Sequence, residues 1–114
     1  MPFINTKTNV EISKEKEIIL KEKFGKAIEL IPGKSEQWLM VSFEDKGSLY
    51  FQGKGDCPIA FVEVKLLGSS TKEAYEKLTG ELTDIIKSEL DIAQNQIYVA
   101  YEELKTWGYA GSNF

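Results

Sequence analysis

The two halves of this sequence are copies of one pattern. A shift of 58 positions brings Ile4 onto Val62, Leu20 onto Leu78, Phe24 onto Leu82 and Ile28 onto Ile86, with no gap. The same shift brings Leu39 onto Ile97, Val41 onto Val99, Phe43 onto Tyr101 and Glu44 onto Glu102, then Leu49 onto Trp107, Phe51 onto Tyr109 and Gly53 onto Gly111. One match alone carries little; a single register held through both halves is not chance. Two copies are too few for a solenoid, so the duplication predicts two similar units packed about a pseudo-two-fold axis. A chain of 114 residues has room for one core, which predicts a single domain over 1–114, built from units of about 1–57 and 58–114.

Each unit reads as strand, helix, strand and short strand. In the first, "FINTK" alternates like a strand, Ser13 is placed to cap a helix, and Leu20, Phe24, Ala27, Ile28 and Ile31 form one helical stripe. "PGK" ends that helix and "WLMVSF" is rich in strand formers. In the second, "IAFVEVKLL" is the strand, Ser70 and Glu73 make a capping box, and Leu78, Leu82, Ile85, Ile86 and Leu90 form the stripe. "QIYVAY" returns as a strand. Each β-α-β crossover should be right-handed with parallel strands. The expected fold is therefore α+β, a duplicated β-α-β unit whose four-stranded mixed sheet carries both helices on one face.

Alternation then assigns the faces. Val62, Val64, Leu66, Ile97, Val99 and Tyr101 should meet the helices, leaving Phe61, Glu63, Lys65, Leu67, Tyr98, Ala100, Trp38 and Met40 on the other side. That open face is too apolar to stand in water, which predicts oligomerisation. "LYF" and "WGY" read as short edge strands suited to pairing with a neighbouring subunit.

Composition removes whole classes of function. A net charge of −4 and a pI near 4.9 leave no basic face for nucleic acid. No apolar run approaches the roughly 18 residues of a membrane span, and no secretory leader is visible, so the expected location is cytoplasmic, with export by a non-classical route leaving no sequence trace. The chain has one cysteine, Cys57, and no histidine. That excludes an internal disulfide, a CxxC redox pair and a cysteine zinc cage, and it removes Ser–His and Cys–His pairs. No metal and no cofactor are expected. An enzyme built from these residues must use a carboxylate, Lys, Tyr, Cys or a terminal amine as its acid–base group. Pro2, second in "MPFIN", can be an ordinary strand start, because its missing N–H costs nothing there. With Met1 removed, it becomes a secondary amine with a free lone pair.

Pro2, the duplicated unit, "PGK", "FVEVKLLG", "IYVAYEE" and the closing "WGYAGSNF" together resemble the macrophage migration inhibitory factor family, which includes D-dopachrome tautomerase and belongs to the tautomerase superfamily. The likeness runs over essentially the whole chain. It implies a homotrimer with an active site at each subunit boundary, acting as a keto–enol tautomerase on phenylpyruvate-like 2-keto acids and on dopachrome. Carried over by position, it implies that Pro2 is the catalytic base, that Lys34 holds the substrate carboxylate and that the backbone N–H of Leu67 faces the substrate. It implies that Tyr98 reaches in from the adjacent subunit, and that Phe3, Trp107, Tyr109 and Phe114 line an apolar pocket. The alternative the resemblance carries is a cytokine-like trimeric binding protein with a receptor partner and a vestigial pocket.

Three departures stand out. Ala100 replaces an asparagine of mammalian members, removing one side-chain hydrogen bond to substrate. Ile59 and Val62 stand where some members have CxxC, so thiol–disulfide chemistry does not carry over. "WGYAGSNF" replaces the commoner WGWNGSTF. Related dehalogenase and decarboxylase chemistry wants arginines, and the chain has none.

The chemistry explains the residue types. A secondary amine in water is mostly protonated and cannot accept a proton. Burial among Phe3, Trp107 and Phe114 and the cation of Lys34 both disfavour its charged form, pushing its pKa toward neutrality where a general base works best.

Overall fold

The computed structural model describes residues 1–114. Its strands are β1 (Pro2–Thr8), β2 (Met40–Glu44), β3 (Ala60–Leu67), β4 (Ile97–Leu104), β5 (Gly108–Tyr109) and β6 (Ser112–Asn113), and its helices are α1 (Lys14–Ala27) and α2 (Lys72–Leu90). The main sheet has the order β2-β1-β3-β4, with β1–β2 and β3–β4 parallel and the central β1–β3 pair antiparallel. This is the mixed α+β sheet expected from two β-α-β units side by side.

The offset of 58 recurs in three dimensions. Single 3₁₀ turns at Glu36–Trp38 and Gln94–Gln96 precede β2 and β4. The Phe51–Lys54 bridge of the first half corresponds to the Tyr109–Ser112 pair of the second. Both tight turns put two successive residues at positive φ, Gln52 and Gly53 in one, Ala110 and Gly111 in the other. Two central residues at positive φ match the natural twist of a hairpin, and glycine meets the second demand at no steric cost.

The core lies between the helices and one sheet face. Leu20, Phe24 and Ile28 from the first half and Leu78, Leu82 and Ile86 from the second pack with Ile4, Val62, Val64 and Leu66, all buried. Both apolar stripes read from the sequence are in place. Tyr101 also faces inward; its hydroxyl donates to the Tyr75 carbonyl at 3.0 Å and lies 2.7 Å from Thr79 Oγ1. Ser13 caps α1, its hydroxyl accepting from the Lys16 N–H at 3.1 Å. Outside the core, Lys16 and Lys23 both bind Glu89, tying α1 to α2. No helix is long and apolar enough to cross a membrane.

Two expectations need correction. The cap of α2 is Thr71, not Ser70: the Thr71 hydroxyl accepts from the Ala74 N–H at 3.0 Å, while the Ser70 N–H is taken by the Tyr75 hydroxyl at 2.9 Å. Glu73 still falls in the first turn, where the helix dipole favours an anion. Trp38 is not on a strand. It ends a 3₁₀ turn closed by the Leu39 N–H on the Glu36 carbonyl, and β2 starts two residues later at Met40. Within the chain, "WGY" also forms a hairpin, Gly108 opposite Asn113 and Tyr109 opposite Ser112.

Candidate active site

The site forms where four chain segments converge at one end of the central strand pair. Pro2 is buried at the start of β1, opposite Leu66. The Leu67 N–H donates to the Met1 carbonyl at 3.2 Å, and the Gly68 N–H donates to the Leu104 carbonyl at 2.9 Å, closing the ends of β3 and β4 together. The third segment is the bend after α1. Gly33 takes φ +83°, which a side chain rarely tolerates, and the chain reverses so that Lys34 points back toward the sheet. Its Nζ donates to the Leu67 carbonyl at 3.0 Å.

This placement changes the terminal amine. The Met1 amine falls from its usual 8.0 to about 6, first because burial penalises the charged form and then because of the Lys34 ammonium beside it. In the chain that starts at Met1, the Pro2 nitrogen itself is part of a peptide bond.

A cleft of about 470 Å³ opens at this point, walled by Pro2, Phe3, Trp38, Met40, Trp107 and Tyr109, with Lys65, Gln37 and Leu104 completing it. Trp38 meets Tyr109 edge to face with centroids 5.3 Å apart, and Tyr109 stacks on Phe114 at 6.4 Å. The Phe114 N–H donates to the Trp107 carbonyl at 2.9 Å, so the C-terminal hairpin folds its own aromatics into one wall. A slightly larger cleft, about 540 Å³, runs between α1 and β2. Its lysines and glutamates offset each other, and it holds none of the residues named from the sequence as site candidates.

Pro2, Phe3, Trp107 and Tyr109 thus share one cleft; Lys34 and Leu67 do not line it but are joined to each other beside Met1, which does, and Phe114 stacks on Tyr109. Tyr98 is elsewhere. Its ring packs edge-on against Phe51 at 5.0 Å and Phe61 at 6.1 Å, in a separate apolar cleft of about 220 Å³. Tyr98 pairs with Phe61 and Pro2 with Leu66, five residues apart along β3, or roughly 17 Å at strand rise. Within one chain the two do not meet. The sequence reading passed over Lys65 and Gln37 as cleft residues, and it placed Trp38 and Met40 only on an open face. The alternation of β3 puts Lys65 beside Phe3, which was the available signal. No three acidic or thiol side chains converge to hold a metal ion.

The sequence model of the macrophage migration inhibitory factor family matches residues 1–114. The chain belongs to this family. Macrophage migration inhibitory factor 2 of Leishmania major is 32% identical, superimposes with a TM-score of 0.93, and is matched over 100% of this chain and 97% of its own. The macrophage migration inhibitory factor homologue of Prochlorococcus marinus is 28% identical with a TM-score of 0.88, over 98% of both chains. The likeness of fold extends to Pt0534, crystallised after inactivation by 2-oxo-3-pentynoate, at 18% identity and a TM-score of 0.85, over 96% of this chain and 93% of that one. No curated protein matches the sequence. Family membership places the chain in the tautomerase superfamily.

Proposed function

We propose that this protein is a keto–enol tautomerase of phenylpyruvate-like 2-keto acids, with Pro2 as its base once Met1 is removed. The observation that carries the reading is the state of the terminal amine: burial and Lys34 hold it at about 6 one residue before Pro2. A proline nitrogen freed at the same end of β1 meets the same cation and the same apolar walls. Its neutral form then persists at physiological pH, where it accepts a proton.

The substrate carboxylate pairs with Lys34. The Pro2 nitrogen takes the proton from C3, the C3–H electron pair becomes the C2=C3 bond, and the carbonyl oxygen takes the negative charge. The protonated Pro2 nitrogen then gives its proton to that oxygen, giving the enol and restoring the neutral amine, and the reverse path returns the keto acid with no net change in atoms. Lys34 and the Leu67 N–H favour the charge as it develops. Phe3, Trp107 and Tyr109 exclude water and face the substrate ring.

The assembly is part of the proposal. Tyr98 lies too far from Pro2 to act in its own chain, and it is about half exposed, as are Trp38, Tyr109 and Phe114. A homotrimer that brings Tyr98 of one copy to the cleft of the next covers these surfaces and completes the site.

The test pairs intact mass spectrometry with a phenylpyruvate tautomerisation assay. Protein lacking Met1 should be active, and Pro2→Gly or an added N-terminal residue should abolish activity while preserving the fold. Full activity in a chain with a blocked Pro2 nitrogen overturns the reading.

A further inference from the structure

One charged side chain in the cleft has no part in the proton transfer described above. Lys65 sits on β3 directly opposite Phe3, on the open face of the sheet, and lines the cleft beside Pro2. Its neighbour across the parallel ladder is Glu102, 4.0 Å away, with no hydrogen bond formed. Both side chains are well exposed, 40% and 60%, which makes this a loose pair that an incoming anion can displace. Glu102 does not line the cleft; Lys65 does. The walls around it are Phe3, Trp38, Met40 and Leu104, so its stem has apolar company while its ammonium has no firm partner.

Its position relative to Lys34 is what gives it meaning. The Lys34 ammonium is fixed to the Leu67 carbonyl, and the Lys65 side chain leaves β3 two residues before Leu67, on the same face as the Leu67 side chain. Two strand residues span roughly 7 Å. Two lysines served by this short stretch of β3, one lining the cleft and one tied to the Leu67 carbonyl beside it, suit a short ligand carrying an anion at each end. A single carboxylate, as in phenylpyruvate, uses only one of them.

We propose that Lys65 is a second carboxylate anchor that makes the cleft selective for 2-oxo dicarboxylates, with the carboxylate next to the keto group at Lys34 and the distal one at Lys65. The assignment rests on the tautomerase reading for its chemistry, but the subsite itself is a matter of binding. Proton transfer is the same as for an aryl keto acid: C3 loses its proton to the Pro2 amine and the carbonyl oxygen gains one. Glu102 opposes the second carboxylate, so its charge is predicted to restrain this preference.

The experiment has a turnover arm and a binding arm, both on chain whose free Pro2 terminus is verified by mass. Ketonisation of enol-oxaloacetate and of enol-phenylpyruvate is followed for wild type, Lys65→Met, Lys65→Arg and Glu102→Gln. The ratio of the two kcat/KM values should fall at least tenfold in Lys65→Met, stay within threefold in Lys65→Arg, and rise in Glu102→Gln. In the binding arm, NMR titrations with succinate and phenylacetate should show Lys65→Met weakening succinate at least tenfold relative to phenylacetate. A ratio and a relative affinity that both stay within threefold of wild type in Lys65→Met overturn the subsite. Wild type that turns over neither enol overturns Pro2 as base, and the succinate titrations then decide the subsite alone.

Discussion

Lys34 donates to the carbonyl of Leu67 at 3.0 Å, and the N–H of the same Leu67 donates to the carbonyl of Met1. One residue at the end of β3 therefore joins the bend after α1 to the start of β1. The cation that lowers the terminal amine is held in place by the strand that flanks it.

That arrangement fixes a pH dependence. In the chain with Met1, the amine titrates near 6 when folded and near 8.0 when unfolded. Between those values the unfolded chain binds more protons, so stability rises with pH; the contribution is complete above 8 and is lost as pH falls through 6. Lys34→Met should move the folded midpoint upward but short of 8.0, because it removes the charge and hydrogen bond of Lys34 while burial, the largest single cause, remains. Isotope-edited NMR of the Met1 amine reads this directly, and an unmoved midpoint contradicts the role given to Lys34.

Glu89 predicts a second, acid-side effect. Hydrogen bonds from Lys23 and then Lys16 hold its carboxyl below the usual range. The α1–α2 tie it provides is present above the ordinary carboxylate pKa and is lost as pH falls through the lowered one. Urea unfolding of wild type and Glu89→Gln should differ at neutral pH and converge in acid. The difference should be modest, because the lysines are exposed and salt screens them.

Thr6 is a site for stabilisation. Its hydroxyl is fully buried on the core face of β1 and has no hydrogen-bond partner. Thr6→Val keeps the shape and removes an unsatisfied polar atom, which should raise unfolding stability by about 1 kcal/mol. A loss of stability in a denaturant melt would mean that the hydroxyl has a partner.

Tyr98 offers a test of the proposed assembly. Pro2→Gly and Tyr98→Ala should each cripple phenylpyruvate turnover as separate proteins. Unfolded together and refolded as mixed trimers, they should recover a fraction of wild-type activity, since some sites would receive an intact Pro2 and an intact Tyr98 from different chains. No recovery in verified mixed trimers would place Tyr98 outside the neighbour's site.

The fold was legible because burial obeys periodicity. Leu20, Phe24 and Ile28, like Leu78, Leu82 and Ile86, declare a helix face by spacing alone, and the repeat made each half a check on the other. The cap of α2 was misread because Ser70, Thr71 and Glu73 offer two overlapping patterns, and a tertiary contact, the Tyr75 hydroxyl on the Ser70 N–H, selects between them. Trp38 looked like a strand residue since aromatic propensity outweighs the weak signature of a 3₁₀ turn. In the site, Pro2 and Lys34 were named through the family likeness. Alternation puts Lys65 on the open face, but its place in the cleft depends on the C-terminal hairpin, which is distant in sequence.

The Met1 carbonyl occupies the Leu67 N–H in the uncut chain. Excision of a single residue at this end therefore does two things in one stroke: it exposes a lone pair on nitrogen and strips an oxygen from a donor in a largely greasy recess. The position left beside Leu67 can take another oxygen, so under the proposed function trimming the first amino acid would shape the receiving surface as well as free the base.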